Sequence, residues 1–138
     1  MDPGLARERF AGARVARLAT ADAAGRPHLV PIVFAVDGDT VYSAVDAEPK
    51  RSTALRRLAN VKANPAVALL VDHYDDDWTS LWWVRADGRA RVLEPQDAQA
   101  RRGVELLAGR YPQYRLVPPA GPVLAVEVER WSGWSFSP

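Results

Sequence analysis

Lys50-Arg51-Ser52-Thr53-Ala54-Leu55-Arg56-Arg57-Leu58-Ala59-Asn60-Val61-Lys62 interrupts a run of strand-like segments. It carries five cations and no acid. Leu55, Leu58 and Val61 recur at helical spacing, which predicts a helix with one face packed on a sheet. Glu48-Pro49 breaks the strand before it, and Ser52 or Thr53 supplies an N-cap. A helix start leaves backbone N–H groups unpaired and carries partial positive charge. With Lys50, Arg51, Ser52 and Thr53 around it, that end suits a phosphate or carboxylate. A solvated amphipathic helix with basic flanks fits the same spacing.

Working outward, the segments on either side read mostly as strands. Upstream, residues 4–12 suggest a short helix with Leu5 and Phe10 turned inward. Arg14 to Thr20 alternates as a strand does. Asp22-Ala23-Ala24-Gly25-Arg26 reads as a turn. Pro27 to Val36 is apolar on both faces, which predicts a strand covered on both sides. Asp37-Gly38-Asp39 marks a hairpin before a strand from Thr40 to Val45. Downstream, Asn64-Pro65 forces a turn into a buried strand, Ala66 to Val71. The acidic run Asp72 to Asp77 predicts a loop. Leu81–Arg85 and Arg89–Leu93 read as two strands joined by a hairpin at Asp87-Gly88. A helix is expected from about Glu94 to Gly109, ended by Tyr111–Tyr114. After a Pro118–Pro122 connector, Val123 to Glu129 is the closing strand and residues 130–136 a tail. Several antiparallel strands with two or three helices predict a mainly β fold, an antiparallel barrel with peripheral helices.

The chain has 138 residues, which suits one domain with a core of its own. Its net charge of +1 offers no global field for nucleic acid or membrane. The short basic run is opposed by the acids at 72–77, so neither partner is expected. No apolar run approaches the length of a membrane span. No signal peptide is visible at Met1-Asp2-Pro3-Gly4, and a cytoplasmic protein is expected.

With no cysteine, thiolate catalysis and cysteine metal sites are excluded. The only histidines are His28 and His73, and neither a G-x-S-x-G elbow nor a Walker loop occurs. Asp72-His73-Tyr74-Asp75-Asp76-Asp77 lacks the glycine and spaced acids of a calcium loop and the extra ligands zinc needs, so no metal is expected. Among the aromatics, Trp82 and Trp83 are adjacent in a predicted strand and must point to opposite faces. Only one can enter a barrel core. The other presents an apolar ring outward, to a partner subunit or a flat ligand, unless it is ordinary packing.

Ala13–Thr20, Gly25-Arg26-Pro27-His28 and Pro31-Ile32-Val33-Phe34 resemble the first hairpin of the split-barrel flavin and deazaflavin reductases, the pyridoxamine-phosphate-oxidase-like proteins. Pro49-Lys50-Arg51 through Val61, then Asn64-Pro65, resembles their cofactor-phosphate helix. Asp72-His73-Tyr74, Trp78 and Leu81–Arg85 resemble the coenzyme-F420-dependent branch. The resemblance implies a split antiparallel β-barrel of the FMN-binding type, paired as a homodimer with the cofactor at the subunit interface. It implies that Val30, Pro31, Ile32 and Val33 line the ring. Tyr42, Ser43 and Ala44, with Lys50, Arg51, Ser52 and Thr53, would hold the phosphate-bearing tail. Arg56 and Arg57 are further candidates, and Trp82 or Trp83, with Trp134 as a further candidate, would give aromatic cover from the partner. The chain departs from true pyridoxamine phosphate oxidases near its C-terminus, where Arg130 and Trp131 match the substrate-phosphate pattern only loosely.

The expectation is an oxidoreductase that moves a hydride between reduced coenzyme F420 and a small organic acceptor. No catalytic side chain is assigned, because the cofactor carries the redox chemistry. Two alternatives stay open: an FMN-dependent oxidase or reductase of the same fold, and a non-catalytic carrier of a flavin, deazaflavin or haem-derived ligand.

Overall fold

A computed structural model describes residues 1–45 and 52–138, and of Ser52–Leu55 only the helical backbone. The strands are β1 (Ala16–Ala21), β2 (Pro27–Ile32), β3 (Ala35–Asp37), β4 (Thr40–Ala44), β5 (Ala66–His73), β6 (Trp82–Leu93) and β7 (Val123–Ser135). The helices are α1 (Pro3–Gly12), α2 (Ser52–Ala63), α3 (Ala98–Arg110) and α4 (Pro112–Leu116). All seven strands form one sheet in the order β2-β1-β5-β6-β7-β4-β3, and every described pairing is antiparallel. β2 and β3 lie at its two ends, yet only Val33 and Phe34 separate them along the chain. Two residues span at most about 7 Å. The sheet must therefore curl until its edges nearly meet, which gives a mainly β split barrel with its seam at Val33-Phe34.

Register decides which residues fill the barrel. Leu18 stands opposite both Val30 and Leu69, Leu69 opposite Ala86, and Val71 opposite Val84. Leu18, Leu69, Val71, Val84 and Ala86 are all buried and share one cluster with Phe10 of α1 and Val61 of α2. Phe10 closes one end, its ring 4.8 Å from that of Phe34 and 5.3 Å from that of Trp131. α1 begins where Asp2 accepts from Leu5 N–H at 3.2 Å and Pro3 occupies the first turn. Its buried positions are Ala6 and Phe10, one helical turn apart. Leu5, expected inside, is exposed, because the i, i+4 pair selects the other face.

The Asp87-Gly88 hairpin is not formed. β6 runs unbroken from Trp82 to Leu93 and pairs along its length with β7. Neither Asp87 nor Gly88 has positive φ, which a tight hairpin of this type requires. Gly88 sits instead at a bulge, where a Cβ would lie 2.2 Å from the Glu127 carbonyl oxygen. The glycine serves close backbone approach, not a reversal. The expected tail from residue 130 is the second half of β7, and Trp82 pairs with Ser135. The long strand expected from Pro27 to Val36 is cut in two by the seam.

At the start of β7 both faces are buried, since α3 packs on Ala125 from outside the barrel. Gly103 makes that possible, because a Cβ there would come within 2.8 Å of the Tyr42 ring. α3 starts at Ala98 with Asp97 as its cap, a few residues later than expected. α3 ends where expected, at Arg110 with Tyr111 as its C-cap, and Pro112 then opens the short α4. Among the described residues, no helix is long and apolar enough to cross a membrane.

Candidate functional site: a groove at the seam

The break at Val33-Phe34 leaves a groove of about 300 Å³ beside it. Pro31, Ile32 and Val33 form one wall, Ser43 and Ala44 of β4 a second, and Arg57 of α2, Val15 and Tyr114 complete it. The Ser43 hydroxyl donates to the Val33 carbonyl at 3.0 Å, tying the two walls together across the seam.

A clamp behind the groove fixes its floor. The Tyr111 hydroxyl accepts from Phe34 N–H at 3.2 Å and shares its proton between the carbonyls of Phe34 and Arg14, at 2.9 and 3.0 Å. Arg110 donates to the same Phe34 carbonyl at 2.9 Å and to the Ala13 carbonyl. The irregular backbone at the seam thus has partners for polar groups that a continuous strand would have paired. The Arg110 guanidinium also lies 5.1 Å from the centre of the Phe34 ring.

The structure brings Pro31, Ile32, Val33, Ser43, Ala44 and Arg57 together. Val30 turns toward the barrel interior, on the same face as Ile32 and opposite Leu18. Tyr42 packs under α3, where its hydroxyl accepts from Gln99 at 3.2 Å. Lys50 and Arg51 lie outside the described residues, as do the side chains of Ser52 and Thr53. Arg56 and Arg57 diverge, as neighbours about 100° apart on a helix must. Arg57 lines the groove, whereas Arg56 is exposed and its charge acts on Asp22. Asp22 is held below the usual aspartate range, first by the Arg26 backbone N–H and then, against partial desolvation, by Ala24 N–H and the charges of Arg26 and Arg56.

Trp82 and Trp83 lie outside this groove. Trp83 lies on the outer face of the sheet, paired in register with Asp72 and Trp134. Trp82 is on the inner face at the barrel end, packed against the core, its ring 6.1 Å from that of His73 and stacked. Both border a second, wider depression of about 620 Å³ that also takes in Leu29, Leu70, Tyr74 and Trp134. Leu29 is 67% exposed and Trp134 43%. Trp131 is committed elsewhere, with its indole N–H donating to Asp39 at 2.9 Å. Among the described residues, no group of three or more His, Asp or Glu is placed to hold a metal.

Val15 and Tyr114 were missed from the sequence. Val15 precedes its strand by one residue, and Tyr114 belongs to a helix too short to show a period. The usable signal was Pro112, which favours a new helix start over a helix end.

Residues 4–135 match the family model for pyridoxamine 5'-phosphate oxidase. The chain belongs to that family. No curated protein matches the sequence. Among solved structures the chain is similar to an FAD-binding protein of Mesorhizobium loti, at 21% identity and TM-score 0.72, covering 96% of this chain and 94% of that one. It is similar to HutZ, the heme storage protein of Vibrio cholerae, at 15% identity and TM-score 0.73, covering 98% and 95%. A third relative is a putative 5-nitroimidazole antibiotic resistance protein of Bacteroides thetaiotaomicron, at 19% identity and TM-score 0.65, covering 96% and 82%. At these identities the likeness establishes the pyridoxamine 5'-phosphate oxidase fold and leaves the ligand to the groove's own chemistry.

Proposed function

We propose that this member of the family is an oxidoreductase that binds a deazaflavin in the seam groove and moves a hydride between coenzyme F420 and a small organic acceptor. The observation that carries the reading is the groove's composition. Pro31, Ile32, Val33 and Ala44 offer apolar and main-chain surface to a flat ring, and Arg57 offers one cation to an anionic tail. Those residue types fit a flavin or deazaflavin. A charge-assisted contact from Arg57 is worth about 1.5–3 kcal/mol. Lys50 and Arg51, just ahead of α2, would extend the positive charge along the tail. When bound, the cofactor supplies the hydride; the chain's own residues hold the ring, fix the tail and shed water from the wall at Pro31–Val33.

The same reading includes a homodimer working in the cytoplasm. The outer face carries Leu29 on β2 and Leu70, Trp83 and Trp134 on β5, β6 and β7, an apolar area that a second copy would cover. Leu29 on that face and Pro31 on the groove wall are two residues apart on one side of β2, so a partner seated there would reach the groove's rim.

Titration of the purified chain with coenzyme F420 and with FMN, followed by calorimetry and then by turnover on acceptors, tests the assignment. Micromolar coenzyme F420 binding with weaker FMN binding is expected. FMN preferred by roughly tenfold, about 1.4 kcal/mol, would replace the deazaflavin with FMN. The structural kinship with a heme storage protein supports a carrier as the second reading. Tight binding without turnover on any acceptor would establish it.

A further inference from the structure

A third pocket, of about 480 Å³, opens between α1 and the β5–β6 end of the barrel. Arg9, Arg14 and Arg17 border it, Asp72 is the one carboxylate there among the described residues, and His73, Trp82, Val71, Ala13 and Val15 form much of the remaining wall. Arg9 is the informative residue. Its guanidinium lies 5.5 Å from the centre of the Trp82 ring, which orients it, and its Nη1 is buried without a hydrogen-bond partner among the described residues. Buried donors in folded proteins are almost always paired. Arg17 also forms no ion pair among the described residues, although Asp72 borders the same pocket. Arg14 is directed away, donating to the Arg110 carbonyl at 3.0 Å and lying over the Tyr111 ring.

We propose that this pocket is an anion site in which Arg9 and Arg17 hold a carboxylate or phosphate of the acceptor, with Trp82 and Val71 against its apolar body. A guanidinium set by an aromatic ring presents its N–H fork in a fixed direction, which matches the paired oxygens of such groups. The pocket is larger than a lone oxyanion needs, so its ligand has a body as well as a charged head. Val15 borders both this pocket and the seam groove, which puts the far end of such a ligand beside the cofactor. The acceptor role rests on the proposed function; the anion site itself does not.

The full chain, free of cofactor and labelled with ¹⁵N, is titrated with inorganic phosphate and with succinate. The Trp82 indole N–H and the Arg9 Nε–H signals should shift saturably at concentrations on the order of 1–10 mM. Arg9→Gln should weaken binding at least roughly tenfold and Arg17→Gln several-fold, while Arg9→Lys retains part of the affinity. Arg17 is on an exposed strand position, so its variant folds even where the Arg9 variants do not. Shifts that persist unchanged in both glutamine variants, or no saturable shift at all, overturn the site. So does an Arg9→Gln variant that binds phosphate normally but loses its dimer, since the guanidinium would then pair with the partner subunit. With turnover established, Arg9→Gln should raise KM for anionic acceptors and spare neutral ones; an equal rise for both overturns the acceptor role. Phosphate bound at Arg9 by a chain that takes up no cofactor upholds the anion site and overturns the cofactor reading instead.

Discussion

The seam groove and the outer aromatic face lie on the same sheet and are built in opposite ways. The groove collects residues from β2, β4, α2, α4 and the lead into β1, and it exists because the strand breaks at Val33-Phe34. Among the described residues its character is main-chain geometry plus one cation. The face is made by strand alternation, with Leu29 on β2 and Leu70, Trp83 and Trp134 on the neighbouring strands β5, β6 and β7. Its character is apolar area. Area without direction suits another protein surface, while a narrow cleft with a fixed charge suits a small anion-bearing ligand. If that division is right, substitutions in one region should leave the other's readout alone.

The largest effect is expected on the face. Trp83→Asp places a charge where two copies would meet and should weaken the dimer by about 2–4 kcal/mol, the range of an aromatic hot spot. Sedimentation at micromolar concentration should show the wild type near twice the chain mass and the variant shifted toward one. A wild-type chain that sediments as a monomer would remove the second copy from the comparison altogether.

Next comes the groove's cation. Arg57→Ala should cost about 1.5–3 kcal/mol of coenzyme F420 affinity without changing sedimentation. Calorimetry of the two variants side by side separates the regions. Should Trp83→Asp cost as much cofactor affinity as Arg57→Ala, the partner supplies part of the groove, and the two regions form one composite site.

How much of this was legible in the sequence follows from the range of the signals. Strand alternation and the basic helix are local, so the mainly β class and α2 could be read, whereas the Pro31–Val33 and Ser43–Ala44 walls were placed by family resemblance and not by any local signal. Asp87-Gly88 is also a local signal, and it misled, because the dipeptide that fits a tight turn also fits a bulge. What decided between them was the approach of β7 within 2.2 Å of a would-be Cβ, a contact between residues 39 apart along the chain. Val30 and Tyr42 were placed by kinship on the ligand wall, whereas Val30, one pleat further from the seam than Ile32, packs against the barrel core and α3 captures Tyr42. Tyr114, Val15 and the Arg9 pocket depend on how α1, α3 and α4 dock. No periodicity encodes docking.

Tyr111→Phe probes the groove's support. Phenylalanine keeps the ring and removes the hydroxyl that holds Phe34 N–H, leaving Phe34 O to Arg110. A loss of about 1–2 kcal/mol in stability by urea titration is expected, the usual net worth of one accepted and one shared donated bond. Cofactor affinity should fall with it, because the wall at Val33 loses its anchor, and the dimer should be unaffected. Lost stability with unchanged affinity would make the clamp structural only.

The smallest effect is expected one residue from the groove. Arg56 and Arg57 are neighbours in sequence, but only Arg57 borders the groove, and Arg56 is exposed toward Asp22. Arg56→Ala should change FMN and coenzyme F420 affinity by no more than about 0.5 kcal/mol, the scale of an exposed ion pair. Its effect should appear at Asp22 instead. That carboxyl is depressed chiefly by the Arg26 N–H, with Arg56 the last of several contributors. A depressed carboxylate adds stability above its unfolded pKa and loses it as pH falls through the folded one. Removing the Arg56 charge should raise the folded pKa slightly toward the unfolded value, trimming that contribution near neutral pH and starting its loss at a higher pH. Carboxyl carbon NMR across an acid titration reads the shift directly. If Arg56→Ala instead weakens coenzyme F420 as much as Arg57→Ala does, the ligand's tail reaches along α2 past the groove, and the solvent-facing side of that helix belongs to the site.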